Sequence, residues 1–94
     1  MPAVNDGAAG ARYAHPIMNS ATELDVRVIA PREKHPTIHA RLDALTTGEM
    51  LTIVNDHDPR PLRFELEADY PGRYAWEYVE SGPETWRVNI RRTE

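Results

Sequence analysis

From Glu23 onward, apolar residues recur with a readable period. ELDVRVI sets Leu24, Val26 and Val28 against Asp25 and Arg27, a period of two that predicts a half-buried strand, closed by Pro31. REKHPTIHARLDAL then places Ile38, Leu42 and Leu45 at i, i+4 and i+7, one stripe of a helix. Pro36 is tolerated only in a first turn, where its missing N–H costs nothing, so the helix is predicted to start at Glu33 to His35. Gly48 in TTG is its predicted stop. EMLTIVN is apolar and β-branched, a second strand. Strand, helix and strand in this order predict parallel strands joined by a right-handed crossover.

Asp58-Pro59 reads as a helix opening, with Asp as N-cap and Pro at the first helical position. PLRFELEADY fits two periods: Leu62, Leu66 and Tyr70 recur as on a helix, while Leu62, Phe64 and Leu66 alternate as on a strand. The cap, the Glu and Ala content and the Pro71-Gly72 stop favour the helix. RYAWEYVE and TWRVNIRR, separated by SGPE, predict an antiparallel hairpin. The order βαβαββ predicts an α+β, two-layer sandwich: a four-stranded mixed sheet with two helices on one face. Residues 1–21 carry Gly, Pro and small residues without periodicity and are predicted to form a disordered tail, leaving residues 22–94 as one domain.

Composition narrows the function classes. Ninety-four residues with 40% hydrophobic and 28% charged side chains suit one soluble domain with a modest core. No apolar run approaches the roughly 20 residues that span a bilayer, so a cytoplasmic protein without a membrane partner is expected. The chain has no cysteine, which excludes disulfides, thiolate metal sites and cysteine nucleophiles together. A net charge of −4 argues against nucleic-acid binding. The local group Arg87, Arg91 and Arg92 reads as a solvated strand face.

The chemistry-bearing residues concentrate in two loops, APREKHP and NDHDPRP. In a parallel βαβ unit these loops share the edge at the strands' C-terminal ends. Arg32, His35, Asp56, His57, Asp58 and Arg60 are therefore the candidate ligand-binding residues. Three readings stay open. In one, the carboxylates cap and pair locally and no ligand binds. In the second, His35 and His57 with Asp56 ligate a divalent transition metal. In the third, Arg32, Arg60 and two helix N-termini hold a small anion, against the repulsion of Asp56 and Asp58. His35 and His39 also lie at i and i+4, a weak metal signal without a Glu between them, and His39 is expected to turn toward solvent. An acid–base dyad of His57 and Asp56 is disfavoured, because neighbours on a strand point to opposite sides. No catalytic residue is assigned, and a binding module is favoured over an enzyme. Tyr74, Trp76 and Tyr78 share one strand face, and Trp86, Val88 and Ile90 form a second apolar strip. A face not covered by helices is a candidate surface for a protein partner or a homodimer, with Pro61 and Phe64 as contributors.

The stretches LDVRVIAPREKHP, VNDHDPRPL and WEYVESGPETWRVNI resemble the TusA/SirA-like superfamily, and within it the branch catalogued as domain of unknown function 2249. The resemblance runs from Glu23 to Arg91 and implies the same βαβαββ sandwich. TusA-type proteins carry sulfur as a persulfide on the cysteine of a Cys-Pro-x-Pro motif, whose place here falls on Pro31. A persulfide needs a thiolate, so that chemistry is excluded in this chain. Relatives joined to hemerythrin-like and cupin-like domains imply a role in metal handling or redox regulation.

Overall fold

The computed structural model describes residues 22–94, and the tail expected over residues 1–21 lies outside the described residues. The elements are β1 (Glu23–Asp25), a 3-10 turn (Val26–Val28), α1 (Pro31–Asp43), β2 (Met50–Asn55), α2 (Arg60–Asp69), β3 (Tyr74–Ser81) and β4 (Trp86–Arg92). The strands form one four-stranded sheet in the order β1-β2-β4-β3. β1 runs parallel to β2, while β4 is antiparallel to both β2 and β3. β3 is thus parallel to β2, and both helices set out from the same edge of the sheet.

Period-two patterning decides which side chains meet the helices. Leu24, Leu51, Ile53, Val88 and Ile90 project from one sheet face and pack with Ile38, Leu42 and Leu45 of the α1 region and Leu66 of α2. Tyr74, Trp76 and Tyr78 pack against this same cluster, with Tyr78 edge-on to Trp76 at 6.0 Å and to Trp86 at 6.2 Å. The aromatic strip therefore belongs to the helix side of the core. The opposite face is open, and it is polar. There Arg87 pairs with Glu23 and with Glu80, and Thr52 donates to Asn89. The aromatic strip is core, and the sheet surface left available for a protein contact is the polar, charged one. The hairpin closes at Gly82, whose φ of +74° suits glycine, and a Cβ there would stand 2.7 Å from the Trp86 ring.

Local chemistry moves several boundaries. β1 does not continue through Val28. The Asp25 carboxylate accepts from the Arg27 backbone N–H at 3.0 Å and caps the 3-10 turn, and this turns the chain so that Val28 is 59% exposed. α1 begins at Pro31, before the predicted start, so Pro36 lies inside the helix instead of in its first turn. Pro36 is on the exposed side, where water can donate to the Arg32 carbonyl that its missing N–H leaves free. Gly48 is not the helix stop. α1 ends at Asp43, and Gly48 donates its N–H to Arg92 at 2.7 Å on the way into β2. No helix among the described residues is long and apolar enough to cross a membrane.

Asp25 also carries a pH dependence. Its buried carboxylate takes two further bonds from the Arg27 guanidinium, at 2.8 and 2.7 Å. These bonds, opposed by desolvation, hold the carboxyl below its ordinary range. A depressed folded-state value means the stabilisation is present above the unfolded carboxylate pKa, about 3.9, and is lost as pH falls through the lower folded value. Asp25→Asn is expected to lower stability at neutral pH by about 2 kcal/mol. It should also flatten the decline below about pH 4 seen in urea titrations of the unsubstituted protein. An acid limb equally steep in both proteins would contradict this.

Candidate metal centre

The buried stripe of Ile38 and Leu42 fixes the rotation of α1 on the sheet, and that rotation turns His35 and His39, one turn apart, toward α2. On α2, Leu66 faces inward, and Glu65 falls on the flank toward α1. The three side chains converge. His35 Nε2 lies 2.9 and 3.0 Å from the two Glu65 oxygens, His39 Nε2 lies 3.3 Å from Glu65 Oε2, and the imidazole centroids are 4.3 Å apart. The Nε2 atom of His39 is buried and makes no hydrogen bond, its approach to Glu65 being an ion-pair distance only. A buried polar atom without a hydrogen bond is costly, and a bound ligand at this position would satisfy it.

The arrangement fits a metal ion. Their ligand atoms lie within 4.8 Å of one another, and no other set of three such groups occurs among the described residues. An ion bonded to nitrogen and oxygen at about 2.1 Å keeps neighbouring ligands roughly 3.0–3.4 Å apart. The 2.9 and 3.3 Å separations of the two imidazole nitrogens from Glu65 have that scale.

The set His35, His57 and Asp56 is not what the structure assembles. His35 lies in the second turn of α1, because the helix starts at Pro31, and it is engaged with Glu65. His57 sits in the bend after β2 and pairs with Asp56, Nδ1 to Oδ1 at 2.7 Å. The strand ends at Asn55, so alternation does not separate the two side chains as expected. This bond from His57 holds the Asp56 carboxyl below its usual range. Both are about two-thirds exposed, 67% and 61%.

Asp58 is not an N-cap. α2 starts at Arg60 with Pro59 in the cap position and no side-chain cap. The Asp58 carboxylate instead accepts from the Tyr78 hydroxyl at 2.7 Å and lies 3.3 Å from Arg60, tying the start of α2 to β3. Arg32 is exposed in the first turn of α1. Sequence reasoning passed over Glu65 and set aside His39. The i, i+4 histidines were visible, but only packing of α2 against α1 supplies their carboxylate. A small cleft of about 100 Å³, open to solvent, lies on the far flank of α2 between Arg63, Tyr70, Tyr74 and Trp76, and shares no residue with the histidine cluster.

No curated protein and no solved structure matches the chain. One family model does, over residues 23–92, from the first residue of β1 to the last of β4. The chain belongs to the family described as Uncharacterized conserved protein (DUF2249).

Proposed function

We propose that the domain is a small accessory module that holds a divalent transition-metal ion between α1 and α2 through His35, His39 and Glu65, in metal- or redox-linked regulation. The observation that carries this reading is the buried Nε2 of His39, which makes no hydrogen bond, beside a carboxylate and a second imidazole. Two imidazoles and one carboxylate suit zinc, ferrous iron, nickel or copper(II) better than magnesium or calcium, which prefer oxygen. Sulfur transfer through a persulfide has no residue to perform it, since the chain lacks cysteine. A binding role suits the cluster, which opens to solvent at His35. Asp56, His57, Asp58 and Arg60 hold the loop before α2 and are not ligands in this reading. The open, charged sheet face leaves room for a protein partner or a second copy on the side away from the ion.

Calorimetric titration of metal-free protein with zinc tests the proposal. One equivalent should bind saturably, His39→Ala should abolish that binding, and His57→Ala should leave it unchanged. Loss in His57→Ala with retention in His39→Ala would overturn the assignment.

A further inference from the structure

Three protein ligands do not complete the coordination of a zinc, iron or nickel ion, which takes about four to six. The remaining positions on such an ion would face outward. His35 is 66% exposed, against 20% for His39 and 33% for Glu65, so the ion would be covered from the α2 side and open beyond His35. The charge there is unbalanced. A dication and the Glu65 carboxylate sum to one positive charge, and neutral imidazoles add none.

Arg32 adds a second. It stands three residues before His35 and seven before His39, which places all three on one stripe of α1. Its guanidinium is exposed and has no hydrogen bond or ion pair among the described residues. Lys34, on the next stripe, is directed electrostatically to Asp56. Both helices leave the same sheet edge, so Asp69, one turn beyond Glu65, lies toward the end of the site away from Arg32. An unpaired guanidinium fork one turn from an open metal position matches the planar or trigonal oxygen array of a carboxylate or phosphate.

We propose that the metal-loaded site takes a small oxyanion, a carboxylate or a phosphate, as its exogenous ligand, bound to the ion by one oxygen and to Arg32 by another. This rests on the metal reading above. Cobalt(II)-loaded protein tests it, because the visible d–d bands report the ion's coordination directly. Titration of that protein with inorganic phosphate, and separately with acetate, should change the bands saturably, and the tighter anion identifies the class. Arg32→Gln should bind cobalt with unchanged affinity and the anion about tenfold more weakly, as loss of one charge-assisted contact predicts. Bands on the loaded protein that respond to neither anion would overturn the proposal while leaving the metal site intact. An equal response in Arg32→Gln would overturn the role of Arg32. Failure of cobalt to bind at all would remove the metal reading, and the oxyanion with it.

Discussion

Zinc at one hundred times its dissociation constant is expected to stabilise the fold by about 2.7 kcal/mol, raising the thermal midpoint by on the order of 10 °C in a domain of this size. The reason is that only the folded chain presents the site. His35 and Glu65 are 30 residues apart in sequence, and their meeting depends on α1 and α2 lying side by side on one sheet face. An ion bound to both helices therefore favours the native state by the whole of its binding free energy, less any affinity for isolated histidines in the unfolded chain. His39→Ala should lose the entire increment. His57→Ala should keep it, since His57 lies in the loop after β2 with Asp56 as its partner. A midpoint that rises equally in His39→Ala would contradict the assignment.

The second large effect concerns the frame that aims the site. Leu42 is 1% exposed, at the centre of the cluster that includes Leu24, Leu51 and Ile53. Leu42→Ala removes apolar burial and leaves a cavity that the sheet cannot collapse to fill. Its expected cost is about 3 kcal/mol in urea unfolding, a large part of the 5–15 kcal/mol typical of a whole domain. Leu42 lies three residues beyond His39 on the same helix, so a loosened contact also frees α1 to roll on the sheet and swing both imidazoles away from Glu65. Zinc affinity should fall with stability. A loss of less than 1 kcal/mol would mean that α1 is anchored elsewhere.

Much of this frame was legible in the sequence because its side chains follow a simple period. The stripe Ile38, Leu42 and Leu45 is buried as spacing required, and Leu66 settles the ambiguity of PLRFELEADY in favour of a helix. The hairpin followed from aromatic alternation around SGPE, and the order βαβαββ from the whole. The misplaced features were those in which a polar group competes with the pattern. Asp25 bends a predicted strand into a 3-10 turn by capping Arg27, and Asp58 prefers the Tyr78 hydroxyl to the helix N-terminus it precedes. The site followed the same rule. His35 was visible as a candidate, but its partners depended on where α1 begins and how it is rotated against α2. An earlier start at Pro31 moves His35 out of the loop and into the helix, beside Glu65 and away from the set expected with His57. No local pattern encodes a contact across two helices.

The most direct test is to observe the imidazole nitrogens themselves. Two-dimensional NMR of the histidine side chains during zinc titration of the metal-free protein resolves His15, His35, His39 and His57 separately. Coincident, saturable shifts of the Nε2 resonances of His35 and His39 are expected at one equivalent, absent in Glu65→Ala, with His57 unmoved. Shifts at His57 together with His35, or no shift at either α1 histidine, would show that the cluster between the helices does not hold the ion.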